Sequence, residues 1–103
     1  MAYITKTEEY LQHQVKVAQF AKALSHPARI AIIELLHQKG DCFCGDIVEE
    51  LPLAQASVSQ HLKELKEAGL VEATDQPPKV KYCINRENWK IAKDFFCHFF
   101  EDN

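Results

Sequence analysis

Residues 46–70, DIVEELPLAQASVSQHLKELKEAGL, constrain the fold more than any other stretch of the chain. They hold two helical patterns with a proline between them. In the first, over 46–51, Ile47, Val48 and Leu51 share one side. Pro52 ends it, because proline has no amide proton to give to a helix. The second starts near Gln55 and stops at Gly69, a residue type that commonly closes a helix. Val58, Leu62 and Leu65 fall at i, i+4 and i+7, the spacing of one buried stripe. At about 100° per residue the opposite face carries Ala56, Gln60, Lys63 and Glu67, with Ser57 and Ser59 beside it. Small polar side chains near the N-terminal end of such a helix suit a major groove, where they hydrogen-bond base edges and phosphates. The pattern predicts a helix-turn-helix with Gln55, Ser59 and Gln60 as its reading edge. A plain helical hairpin fits the same residues, so the flanks have to decide.

Ahead of the hairpin, the spacing predicts a helix over 7–24 with Tyr10, Leu11, Val15, Ala18, Phe20, Ala21 and Leu24 as its apolar set. That stripe is wide for the edge of a small domain, and half of it is assigned to a second subunit. Ser25-His26-Pro27 breaks the chain, with Ser25 as the expected N-cap and proline in the first turn. A helix over 28–38 carries Ile30, Ile32, Ile33, Leu35 and Leu36 and reads as nearly all core; Lys39-Gly40 closes it. His26 and His37 read as helix-end residues, since neither sits at a ligand spacing.

Behind the hairpin, residues 70–74 and 79–84 are strand-like and flank the turn Asp75-Gln76-Pro77-Pro78. Alternation puts Val80, Tyr82 and Ile84 on one face of the second run and Lys79, Lys81 and Cys83 on the other. A two-stranded ribbon after a reading helix is a wing, and its lysines could reach phosphates or the neighbouring minor groove. An ordinary hairpin with a solvated lysine face is the alternative. The last helix, over 87–101, carries Trp89, Ala92, Phe95, Phe96, Phe99 and Phe100. One small domain cannot bury all of these, and an aromatic surface that large marks an interface. The expected fold is mainly α: five helices and a small β-hairpin wing. It forms one winged helix-turn-helix domain over 1–103, homodimeric through its terminal helices.

Length supports one domain: 103 residues give one modest core. No apolar run reaches the length of a membrane span, and MAYITKTEEY lacks the apolar centre of a signal peptide. The expected location is the cytoplasm, with no membrane partner, where Cys42, Cys44, Cys83 and Cys97 stay reduced. A net charge of −3 argues weakly against nucleic acid, but net charge is a poor proxy for a local field. The acids cluster at Glu8-Glu9, Glu49-Glu50 and Glu101-Asp102, whereas Lys63, Lys66, Lys79 and Lys81 lie on or near the reading surface. The expected partner is a specific double-stranded DNA site. An enzyme has little support: there is no nucleophile–base–acid spacing and no phosphate-cradling loop, and only three glycines occur. A winged helix that serves only as a protein-interaction module is the competing reading.

With the whole element order in view, the chain resembles the ArsR/SmtB family of bacterial metal-responsive repressors. The resemblance rests on Ala23-Leu24-Ser25-His26-Pro27-Ala28-Arg29, Ser57-Val58-Ser59-Gln60-His61-Leu62, Leu65, Ala68-Gly69-Leu70-Val71 and Lys81-Tyr82. It implies a homodimer that binds an operator palindrome, represses its own operon and lets go when an inducer binds. Residues 55–68 lie where family members place the recognition helix, and no cofactor is required for DNA binding. Arsenic-responsive members carry a Cys-x-Cys where Cys42-Phe43-Cys44 stands here. The third cysteine of some arsenic sensors is replaced by Ile47. Zinc-sensing members pair an Asp-x-His with a second half like His98-x-x-Glu101; the first half reads Arg86-Glu87-Asn88 here.

The chemistry of Cys42 and Cys44 points the same way. Thiolates select thiophilic ions over magnesium or calcium. Residues two apart point about 200° away from each other in a helix but share a face in extended backbone. The reading is therefore an extended lead-in with Phe43 turned to the core, both sulfurs converging, and Cys44 at the N-cap of the next helix. There the dipole favours a thiolate. Trivalent arsenic or antimony, favoured over a soft divalent ion, would want a third thiolate from Cys83 or Cys97. Two alternatives stay open: a thiol redox switch, and small buried residues with no ligand.

Overall fold

The computed structural model describes residues 10–102. Residues 7–9 of the first expected helix, and Glu8 and Glu9 with them, lie outside that range. The described elements are α1 (Gln12–Ala23), α2 (Pro27–Lys39), β1 (Asp41–Phe43), α3 (Cys44–Glu50), α4 (Gln55–Glu67), β2 (Val71–Gln76), β3 (Lys79–Ile84) and α5 (Arg86–Asp102). The fold is mainly helical with a small antiparallel sheet, as expected, but the sheet has a third strand. Its order is β1-β3-β2, so the wing's inner strand is also paired to the segment ahead of α3.

The core lies where α2, α3 and α4 meet the sheet. Ile32, Leu36, Ile47, Val58, Leu62, Leu65 and Leu70 are fully buried. Val58, Leu62 and Leu65 are the stripe predicted for α4. Ile30 is the exception on α2: it is exposed, because it sits about 200° round the helix from Ile32. On α1 only Phe20 and Ala23 are buried, while Leu11 is 62 % exposed. Phe20 meets Phe95 of α5 with ring centroids 6.4 Å apart.

The helix ends explain several boundaries. Pro27 is the first residue of α2, so the cap falls on His26 and not on Ser25. His26 is extended, as a residue before proline prefers, and its Nδ1 accepts the Ala28 amide at 3.0 Å. Ser25 instead closes α1, its Oγ donating to the Lys22 carbonyl at 2.6 Å. At the end of α4 the Leu70 amide donates to the Leu65 carbonyl and the Gly69 amide to that of Lys66. This is a Schellman closure, and it needs the left-handed backbone that Gly69 adopts at φ 82°. Helix α5 begins one residue earlier than expected, because the Asn85 side chain accepts the Asn88 amide at 3.0 Å and caps it.

Candidate nucleic-acid interface

Helix α4 stands on its apolar stripe and turns the rest outward. Gln55, Ser57, Ser59, Gln60 and Lys63 are all exposed. Leu53 and Ala54 lead in without a capping side chain: Ala54 makes no side-chain cap bond, so the first amides of α4 are free to face an anion. Gln60 is held along the helix by Glu64, Nε2 to Oε1 at 3.1 Å. Ser59 Oγ lies 3.5 Å from Cys44 Sγ, which brings a thiol of α3 to the exposed side of α4.

The sheet register settles what each wing residue faces. Tyr82 pairs with Ala73 and Cys42, and Lys81 pairs with Thr74 and Phe43. Alternation then sets Cys42 and Tyr82 on the helix side, with buried Val71 and Ile84, and sets Phe43, Lys79, Lys81 and Cys83 on the outer side. The outward lysine face of β3 is as expected. Both lysines have neighbours there: Lys81 Nζ is 3.2 Å from Asp41 Oδ2, and Lys79 Nζ lies 5.2 Å from the centroid of the Phe43 ring. The Glu49-Glu50 pair is partly offset, since Lys39 Nζ reaches Glu50 Oε1 at 3.2 Å.

The cysteines depart from the expected arrangement. Phe43 does not turn to the core; Cys42 does, at 3 % exposure, because pairing with β3 fixes the parity of β1. Cys44 is not the N-cap of α3. Phe43 is, its amide donating to the Asp46 carboxylate at 3.1 Å, and Cys44 is the first helical residue. Burial, and then the nearby carboxylate of Asp46, push the Cys42 thiol above its usual range, with Lys39 opposing. Cys44 is half-buried. Tyr82 is the neighbour of both: it is paired across from Cys42, and its phenol is pushed up by burial first and then by Cys44. Cys83 sits on the other side of the sheet, beside Glu72 Oε2 at 3.9 Å, and burial and that carboxylate push its thiol up. The structure therefore does not bring Cys83 to Cys42. Cys97 is exposed on α5. Among the described residues no group of three or more metal-ligating side chains converges. A cleft of about 430 Å³ runs between α3, α4 and β3, with Cys44, Ser59, Lys79 and Tyr82 on its walls.

Two contacts gave no signal in the sequence beyond residue type. Arg29 of α2 donates from Nε to His61 Nδ1 on α4 at 3.1 Å. His37, a helix-end residue as expected, lies 3.2 Å from Arg86 and edge-on to Trp89. Burial, and then Arg86, hold its imidazole below the usual histidine range. No helix among the described residues is long and apolar enough to cross a membrane.

Known proteins share this arrangement. A family model described as a helix-turn-helix domain matches residues 24–74. An uncharacterised helix-turn-helix-type transcriptional regulator, YceK of Bacillus subtilis, is 37% identical over 85% of this chain and 87% of its own length. Among solved structures, an ArsR-like transcriptional regulator from Rhodococcus sp. RHA1 superposes with a TM-score of 0.77 at 20% identity, over 89% of this chain and 86% of the other. The transcriptional repressor BigR from Xylella fastidiosa gives 0.69 at 25% identity, over 93% and 95% of the two chains.

Proposed function

Because this chain belongs to the ArsR/SmtB family of winged helix-turn-helix transcriptional regulators, we propose that it is a repressor that grips an operator palindrome as a homodimer and releases it when a thiophilic ion binds at Cys42 and Cys44. The observation that carries the reading is the exposed row Gln55, Ser57, Ser59, Gln60 and Lys63 above a fully buried stripe, with a free thiol, that of Cys44, 3.5 Å from one of its members. In this reading α4 lies in the major groove, and Lys79 and Lys81 meet the backbone beside it. The chain acts as one domain over 1–103 whose α1 and α5 form the dimer surface. In support, the apolar residues of α5 sweep about half its circumference, with Ile91, Phe95 and Phe99 on one flank and Trp89, Phe96 and Phe100 on the other. Only Ala92 in the middle is buried, and Phe99 and Phe100 remain 49% and 71% exposed.

Trivalent arsenic or antimony is the favoured inducer, with a soft divalent ion second. Two sulfurs of the right softness are present, and a bound ion would replace the thiol proton that burial keeps on Cys42. Cys44 links such an event to DNA directly, since displacing it from Ser59 disturbs the reading edge itself. Cys83, facing the other side of the sheet, serves as the control and not as a required ligand.

The test is a titration of the chain's own upstream duplex, under reducing conditions, followed by fluorescence anisotropy. Ser59→Ala with Gln60→Ala should weaken specific binding by about 1–3 kcal/mol per lost base contact. Lys79→Ala should weaken all sequences alike and flatten the salt dependence. Cys42→Ser/Cys44→Ser should bind as wild type but ignore the ions, whereas Cys83→Ser should still respond. Unchanged affinity in the Ser59/Gln60 double variant would place the reading edge elsewhere. Equal release of wild type and the double serine variant would remove these cysteines as the sensor. Release by peroxide alone would make the switch a redox one. Failure to bind any duplex would leave the protein-interaction module.

A further inference from the structure

We infer that Arg29 is a positioning residue for operator recognition: it ties the last turn of α1 to the reading helix through a neutral His61, so that specific DNA binding is lost as His61 takes up a proton. The inference rests on the operator-binding role given to α4 above. Arg29 occupies the first turn of α2 and reaches in two directions. Its Nη1 donates to the Ala23 carbonyl at the end of α1 at 3.3 Å, and its Nε donates to His61 Nδ1 on α4 at 3.1 Å. One half-buried side chain thus spans three helices. His61 is flanked in sequence by Gln60, on the proposed reading face, and by Leu62, at the bottom of the core.

The protonation state follows from the geometry. A guanidinium has only donors, so Nδ1 of His61 must be the bare, accepting nitrogen. Protonating it puts an N–H against an N–H and a second positive charge beside the first. The tie therefore exists only while His61 is neutral. The groups that face His61 make this state the stable one. From the α1–α2 connection comes the His26 ring, 4.5 Å away by centroids; from α2 comes Arg29; on α4 itself there is Glu64. Burial first, and then His26 and Arg29, hold His61 below the usual histidine range against the opposing pull of Glu64. His26 Nδ1 is itself committed to the Ala28 amide as the cap of α2, so its ring cannot swing away to relieve a charged His61 without uncapping that helix. If α1 belongs to the subunit interface, Arg29 is what sets the angle between that interface and the reading helix. Two reading helices whose angle drifts no longer match two half-sites one turn of DNA apart.

The test pairs operator affinity from pH 7.5 to 5.5 with NMR of the DNA-free protein. Wild-type affinity should fall on the acid side of about pH 6.5 by up to tenfold per pH unit, the slope for one proton. A simple gain of positive charge would do the reverse. His61→Asn keeps an acceptor near the Nδ1 position but cannot titrate; relative to its own affinity at pH 7.5, it should lose the acid fall. Arg29→Lys, a donor too short to hold both partners, should bind about tenfold more weakly at pH 7.5. In the NMR titration the Leu24 amide shift, which reports the peptide unit of the Ala23 carbonyl at the end of α1, should follow the His61 ring in wild type and cease to follow it in Arg29→Lys. An unaltered pH profile in His61→Asn, or full affinity in Arg29→Lys, overturns the inference. NMR coupling that persists while no operator binds at any pH strikes the DNA-binding role and this one with it. Operator binding without the NMR coupling strikes this one alone.

Discussion

The middle of the chain and its two ends solve the same problem in opposite ways. From α2 to β3, apolar side chains find their cover within the chain: seven of the large ones reach zero exposure, and helix ends are closed by Gly69 and His26. Helices α1 and α5 meet at Phe20 and Phe95, among others, and leave Leu11, Ile91, Phe99 and Phe100 exposed. The difference teaches that burial here is divided by role. The α2–β3 unit closes its core within one copy, while the ends leave apolar surface exposed.

The sharpest way to break that contrast is to truncate one residue from each region. Leu62→Ala removes a fully buried side chain from α4 and should cost about 2–5 kcal/mol in urea unfolding. Phe100→Ala, at 71% exposure, should leave the unfolding of a dilute monomer within about 0.5 kcal/mol but weaken self-association in sedimentation equilibrium. Equal costs would show that the two regions are not built differently. A smaller loss is expected at the seam between them. Gly69→Ala must hold alanine at φ 82° with its Cβ 2.9 Å from Asn88 Nδ2, and should lose about 1–2 kcal/mol. A null effect there would mean that the seam yields.

The smallest effect comes from pH and separates the regions again, since the shifted groups lie in the middle of the chain and in its contact with α5. His37 and His61 resist protonation when folded and take a proton near pH 6.5 when unfolded. The unfolded state then binds more protons, so stability falls as pH drops through that value. Cys42, Cys83 and Tyr82 hold their protons longer when folded than when unfolded. Stability should fall again as pH rises past the ordinary thiol range, leaving a maximum near neutrality that denaturation midpoints can locate. A flat profile across pH 5.5–9.5 would show these groups to be solvated.

What was legible in the sequence was local. The stripe Val58, Leu62, Leu65 and the stop at Gly69 depend on residues within one or two turns, and the structure has both. The alternation in β3 was readable because six residues show it. The side on which Cys42 and Phe43 fall was not, because β1 is three residues long and one step of register exchanges its faces. Its partner lies about forty positions later, at Lys81, Tyr82 and Cys83. The cap of α2 was misplaced by one residue because the position of Pro27, and not the preference of serine, decides it. The Arg29–His61 contact joins residues 32 apart, and nothing in either one's neighbours announces the other.

The late pairing of β1 has a consequence for how the chain is made. Strand β1 leaves the ribosome with no strand beside it, and its partner β3 is not complete until Ile84 has been added. At about 5–20 residues per second that interval is roughly 2–8 s. Until then the amides of β1 are satisfied by water, and the face that will carry Cys42 has no sheet to complete. The most deeply covered of the four thiols is thus one whose paired strand is made about forty residues after it.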